Sequence, residues 1–313
     1  MSDWNILITD HLEEAGLATL RQAAQVVDRD GISAQELPDI ISDFHAVIVR
    51  SRTKITAALL EAASRLKVIG RAGVGIDNID LQAAQKRGVI VVNTPAATSL
   101  AVAELTIGLL FALARQIPRL DAALKDGQWL KNEITGIELN GKTLGILGLG
   151  NIGLTVARYA HNLEMCILGY DPFLSPQEIN QRQAQPVSLT ELYTRSDFIS
   201  LHLPLNPETR SLIGREAIQK MKSGVYLICT ARGGVIEEAA LLEALHSGQV
   251  AGAALDVYAQ EPPGNMALLR HPNLIATPHI GAQTKEAQRR AAEQIAHEVL
   301  AALNGKTLHW RLA

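Results

Sequence analysis

A chain of 313 residues is too long for one ordinary hydrophobic core, so two domains are the first expectation. Hydrophobic residues make up 47% and charged residues 19%, enough apolar mass to fill two cores, which excludes a disordered chain. A net charge of -3 and a pI near 6.3 argue against a nucleic-acid partner, which would favour a basic surface.

The opening residues Met1-Ser2-Asp3-Trp4 lack the basic region and apolar core of a secretion signal. The most apolar stretch, 105–114, is half the roughly 20 residues a bilayer span needs. A soluble cytoplasmic protein without membrane contacts is therefore expected. Cys166 and Cys229 both lie in apolar runs, which predicts two buried free thiols.

Short apolar runs at 6–8, 46–49, 68–69 and 89–92 alternate with helical patterns. A second series follows at 144–147, 166–168, 198–201, 225–229, 251–255 and 274–276. Strands without polar alternation, separated by helices, predict parallel sheets covered on both faces. The fold class is α/β, two doubly wound Rossmann-like sheets in tandem. The joint is placed after Asn93-Thr94-Pro95, where Pro95 disfavours helix at Thr94 and Ser99 is a candidate cap. The next helix, 100–116, is apolar nearly all round, so either an interdomain core or a subunit interface must cover it. A last helical pattern runs over 284–303 and ends at Asn304-Gly305.

Gly148-Leu149-Gly150-Asn151-Ile152-Gly153 fits the G-x-G-x-x-G pattern between an apolar run and a helical one. In that context Gly148 serves the tight turn, Gly150 admits a pyrophosphate to the backbone, and Gly153 lets helix and strand pack closely. Asp171 stands 18 positions after Gly153, where a carboxylate accepts the ribose hydroxyls and repels a 2′-phosphate. Pro172 follows it with no arginine adjacent, which favours NAD over NADP. Three polar residues stand in turns after later strands: Arg232 in Thr230-Ala231-Arg232-Gly233-Gly234, Glu261 before Pro262-Pro263, and His279 after Thr277-Pro278. Beside a hydride carrier they answer a chemical need. A histidine takes up the hydroxyl proton, a carboxylate orients its ring and favours the imidazolium, and a guanidinium grips a substrate carboxylate.

On these residues the chain resembles the D-isomer-specific 2-hydroxyacid dehydrogenases, over about 6–303. The resemblance implies a substrate-binding domain built from both chain ends, 1–94 plus 283–313, enclosing an NAD-binding Rossmann domain, 95–282. It implies catalysis by Arg232, Glu261 and His279. Cofactor contacts would come from Gly148, Gly150, Asn151, Ile152 and Gly153, from Asp171, His202 and Pro204, and from Thr230, Asp256 and Gly281. Segments 68–80, 139–150 and 251–257 are most similar to the branch of the family that oxidises D-3-phosphoglycerate at the head of serine synthesis. That likeness implies a substrate carboxylate held by backbone N–H groups of Gly73-Val74-Gly75, and a phosphate met by Arg50 and Arg71. Related chains carry Gly-Asn-Ser where this one has Ala97-Thr98-Ser99, an arginine at Lys131 and an asparagine at Cys229. Thr98 and Lys131 keep a hydroxyl and a charge for the substrate site, with Lys131 supplied from a partner subunit. The resemblance also implies a homodimer joined through the cofactor domains. Ending at Ala313, the chain is expected to lack the regulatory domain and serine inhibition of longer relatives. A hydroxypyruvate or glyoxylate reductase, and an NADH-sensing corepressor-like scaffold, stay open as alternatives.

Overall fold

Strands rich in Val, Ile and Leu, with no polar face, have to be covered on both sides, and the computed structural model has that layout. It describes residues 4–313, so Met1, Ser2 and Asp3, read above as part of an unsuitable signal, lie outside the described residues. The chain divides into two units, Met1–Ser99 with Ala282–Ala313, and Leu100–Gly281.

In the first unit five parallel strands stand in the order β2-β1-β3-β4-β5. They are β1 (Asn5–Ile8), β2 (Gln25–Asp28), β3 (Ala46–Val49), β4 (Val68–Arg71) and β5 (Ile90–Asn93). Ile6, Leu7, Ile8, Ala46, Val47, Ile48 and Val49 are fully buried. The Lys285–Leu303 helix covers one face, and Thr284 caps it by accepting the amide of Ala287 at 3.1 Å. The last residues lie antiparallel along the β5 edge, where Leu312 N donates to Val91 O at 2.8 Å. Buried Glu298 ties that segment down by accepting from His309 N, His309 Nδ1 and Trp310 N.

The second unit has seven parallel strands in the order β12-β11-β10-β9-β6-β7-β8. These are β6 (Thr143–Leu147), β7 (Cys166–Tyr170), β8 (Gln185–Pro186), β9 (Phe198–Leu201), β10 (Val225–Cys229), β11 (Val250–Leu255) and β12 (Leu274–Ala276). Both sheets reverse direction of growth once, between β1 and β3 and between β6 and β9. Open parallel sheets bind ligands in the crevice at such a reversal, outside the carboxyl ends of the strands.

Sequence reading missed β2 and β8. Each is a short edge strand with polar residues, Gln25 and Asp28 in one and Gln185 in the other, and a sheet edge needs little apolar surface. Two expectations are corrected. Cys229 is buried, but Cys166 is exposed because it opens β7 next to solvent. Burial pushes the Cys229 thiol up to about 11. The helix after Pro95 runs Ser99–Arg115, and within one chain Leu100, Glu104, Gly108, Phe111 and Arg115, spaced three or four apart, form one exposed face. Ser99 is its first residue rather than a cap, and its hydroxyl donates to Pro95 O at 3.0 Å. Among the described residues no single helix is long and apolar enough to cross a membrane.

Candidate active site

The glycine turn leaves β6 at the reversal point of the second sheet. Gly148 has φ +86°, and a Cβ there would meet His202 O at 2.6 Å. A Cβ on Gly153 would meet Gly148 O at 2.0 Å, so turn and helix are packed backbone on backbone. A Cβ on Gly150 would meet nothing within 4 Å, so that residue faces open space. Gly150 is the N-cap of the Asn151–Asn162 helix and makes no side-chain cap bond. The first amides of a twelve-residue helix, with their partial positive charge, thus front a cradle the width of a backbone.

Asp171 follows β7 directly and sits across from the turn, accepting Leu149 N through Oδ2 at 2.9 Å and Phe173 N through Oδ1 at 3.0 Å. His202 follows β9. Burial pushes its imidazole down to about 3, so the ring is neutral; one nitrogen pairs with Ser200 Oγ at 2.9 Å. Its Nδ1 is buried without a hydrogen-bond partner, a polar atom that a bound ligand can satisfy. Pro204 lies exposed two residues on. A dinucleotide fits these features: an open cradle, a helix terminus, a carboxylate at the end of the next strand and an unused buried nitrogen.

The other three residues of interest occupy turns at the carboxyl ends of β10, β11 and β12. His279 Nδ1 lies 2.8 Å from Glu261 Oε2, and Glu261 Oε1 accepts the amide of Tyr258 at 3.2 Å. An ionised carboxylate only accepts, so Nδ1 carries the proton and Nε2 is left as the basic nitrogen. Both side chains are accessible, 46% for His279 and 39% for Glu261, as groups that meet a substrate must be. His279 has φ +53°, a left-handed conformation that costs a non-glycine residue of order 1 kcal/mol or more and needs an over-determined setting. That setting is Asp256, which is buried and accepts Thr277 Oγ1 at 2.6 Å, Ile280 N at 2.8 Å and Gly281 N at 2.8 Å. The chain on both sides of His279, at Thr277 before it and at Ile280 and Gly281 after it, is therefore held by one carboxylate. Tyr258 adds a second tie, its hydroxyl lying 3.0 Å from Thr277 O.

Arg232 follows β10 by three residues, with Nη1 donating to Ala231 O at 2.7 Å. A Cβ on its neighbour Gly233 would meet Tyr258 O at 1.7 Å, so the Arg232 turn is pressed against the segment that holds Glu261. Thr230 Oγ1 lies 2.9 Å from Thr106 Oγ1 of the Ser99–Arg115 helix, both buried. Sequence reading gave Thr106, Gly233 and Tyr258 no role. The Gly-Gly pair after Arg232 was the one signal that this turn approaches another backbone.

In the first unit, Val49 pairs with Arg71 across β3 and β4, so Arg50 and Arg71 stand in nearly the same register at the carboxyl ends of neighbouring strands. Burial lowers the Arg50 guanidinium from its ordinary value while Asp10 opposes the shift. Asp10, after β1, was also missed by sequence. It accepts Arg50 N at 2.6 Å and Thr53 Oγ1 at 2.6 Å, and pairs with Arg52 at 2.9 Å, fixing the turn that carries Arg50. The Gly73-Val74-Gly75 turn follows β4, but not all its amides are available: Gly73 N donates to Thr94 Oγ1 at 2.7 Å. Thr98 is buried, and the segment before it is tied down by Arg290, whose Nε donates to Ala97 O at 3.0 Å. Lys131, in the second unit, is exposed.

Residues 107–281 match the family model described as D-isomer specific 2-hydroxyacid dehydrogenase, NAD binding domain. D-3-phosphoglycerate dehydrogenase of Rattus norvegicus is 48% identical over 304 residues, 97% of this chain but only 57% of that relative's length. The chain thus spans little more than half of the curated relatives it matches. Among solved structures, a glyoxylate reductase from Paecilomyes thermophila superposes with a TM-score of 0.92 at 32% identity, covering 100% of this chain and 99% of that one. D-lactate dehydrogenase from Aquifex aeolicus, complexed with NAD and lactic acid, gives a TM-score of 0.85 at 31% identity, covering 96% of each chain. The chain belongs to the D-isomer-specific 2-hydroxyacid dehydrogenases, and its second unit carries their NAD-binding domain.

Proposed function

We propose that the chain oxidises D-3-phosphoglycerate to 3-phosphohydroxypyruvate with NAD. The observation that carries this choice within the family is the pair Arg50 and Arg71 at the ends of the neighbouring strands β3 and β4, Arg71 in register with Val49 and Arg50 one residue beyond it, with the Arg50 guanidinium partly desolvated. Two cations suit the nearly doubly charged phosphate, and one of them gains by regaining an anionic partner. The 47–48% identity to phosphoglycerate dehydrogenases supports the same reading.

In this scheme the amides of Val74 and Gly75 hold the substrate carboxylate, while Gly73 stays engaged with Thr94. Gly148–Gly153 and Asp171 would hold NAD, which would supply the hydride acceptor. His279 Nε2 takes the hydroxyl proton, and Glu261 keeps the proton of Nδ1 in place and stabilises the resulting charge. Arg232 pairs with the substrate's carboxylate and draws electron density from the reacting oxygen. Thr98 and Lys131 complete the substrate residues, Lys131 from a second copy.

The test is kcat/KM for D-3-phosphoglycerate with NAD against hydroxypyruvate and glyoxylate with NADH. Phosphoglycerate is expected to be preferred, and Arg50→Ala with Arg71→Ala should cut that preference by about 10²-fold, the worth of two charge-assisted bonds. Preference for the unphosphorylated acids in the unmodified chain would make it a reductase of the same family. The exposed face formed by Leu100, Gly108 and Phe111 supports a homodimer in which a second copy covers it. Sedimentation at the mass of one chain would refute that assembly.

A further inference from the structure

Close to Asp171 and the glycine turn, the second unit holds a cation that no sequence motif marks. Arg182 caps the carboxyl end of the Pro176–Gln181 helix, 11 positions after Asp171 and outside any motif. The fold returns it to the glycine turn, where its Nη1 donates to Leu149 O. Leu149 N, in turn, donates to Asp171 Oδ2 at 2.9 Å. One residue of the turn is therefore gripped from both sides, by the carboxylate at its amide and by the guanidinium at its carbonyl. The two charged groups are roughly 9 Å apart at most, since only the backbone of one residue and two hydrogen bonds separate them.

This position matters for the choice of cofactor. A 2′-phosphate hangs from the hydroxyl that a carboxylate in the place of Asp171 reads, and Asp171 repels it. What an NADP site adds is a guanidinium within reach of that phosphate. Arg182 is half-buried, carries a long flexible stem, and donates to the Leu149 carbonyl with the exposed Glu178 carboxylate as its ionic neighbour. We propose that Arg182 is a specificity-determining residue of the adenosine half-site. With Asp171 present it braces the glycine turn for NAD. With the carboxylate removed it turns to a 2′-phosphate, so that Asp171 is what keeps this chain from using NADP. The inference rests on the NAD-binding reading of the glycine turn.

Fluorescence titration of NADH and NADPH into the full chain tests it without turnover. Asp171→Ser is expected to move the affinity ratio toward NADPH by at least about 30-fold, a charge-assisted bond gained and a repulsion lost. Adding Arg182→Met should take back about tenfold or more of that gain, whereas Arg182→Lys, which keeps the charge, should take back less. Arg182→Met alone should weaken NADH and NADPH alike, by less than about fivefold, as loss of a brace would. Asp171→Asn carries the same expectation if the serine variant does not fold. A ratio that does not move when the carboxylate is removed, or a gain that survives Arg182→Met in full, overturns the proposal. Failure of the unmodified chain to bind NADH would instead overturn the NAD-binding reading beneath it.

Discussion

His279→Gln is expected to lower kcat by about 10²–10⁴-fold, the usual worth of a positioned acid–base group, while NADH binding stays within about twofold. The prediction follows from how completely the surroundings serve this one ring. His279 adopts a backbone conformation unfavourable to it, with φ +53°. Asp256 fixes Thr277 before it and Ile280 and Gly281 after it, and Glu261 meets its Nδ1 at 2.8 Å. Such strain is maintained only where many contacts agree, and it clusters at functional sites. Glutamine matches the ring in length and polarity but cannot cycle a proton at neutral pH. Glu261→Gln should give a smaller loss, because the ring remains but the fixed tautomer does not: a carboxamide both donates and accepts. If His279→Gln retained a tenth or more of the activity, the proton would have to leave through another group, and the assignment of the trio would fail. Stopped-flow turnover alongside NADH fluorescence titration separates the two quantities.

The glycine turn, Asp171, Arg232, Glu261 and His279 stand out in the sequence as candidates because each lies beside a local marker. A glycine pattern follows a strand, an acid ends the next strand, and turns rich in glycine or proline carry the other three. Apolar runs gave the central strands for the same reason. The residues that escaped are those whose partners are far away in the chain. Asp10 meets Arg50 and Thr53 across 40 and 43 positions, Arg182 meets Leu149 across 33, and Thr106 meets Thr230 across 124. No local pattern announces such pairs, since tertiary packing alone creates them. The same limit explains Gly73, whose amide belongs to a turn motif in sequence but is claimed by Thr94, 21 positions on. The exposed face of the Ser99–Arg115 helix had the opposite cause. Leu100 and Phe111 are apolar, so periodicity calls for them to be covered, and only the folded chain shows that its own residues leave that side uncovered.

Gly233→Ala is expected to lower kcat/KM by about 10²-fold without removing any group that touches the substrate. An alanine Cβ there would stand 1.7 Å from Tyr258 O, 2.0 Å from Tyr258 C and 2.7 Å from Ala259 N. All three are backbone atoms, so no side chain can rotate away and one of the two segments must move by about 1 Å or more to restore ordinary contact. Both segments carry chemistry. Arg232 precedes Gly233 directly, and Tyr258 N donates to Glu261 Oε1, the oxygen opposite the one that meets His279. Tyr258 also reaches Thr277 O, two residues before His279, so the shift is passed to the ring as well. A displacement of that size among reacting groups typically costs about two orders of magnitude in rate. The overpacking itself should lower stability by about 1–3 kcal/mol, which denaturant titration reads separately. The glycine turn at 148–153 has its own contacts, so NADH affinity should fall far less than turnover, even with Thr230 and Asp256 close to the displaced segments. A variant that binds NADH normally and turns over slowly would show that the spacing between the Arg232 turn and the Glu261 segment is what aligns the trio. Activity within about threefold of the unmodified chain would mean that the two backbones separate freely there and that no such alignment depends on their contact.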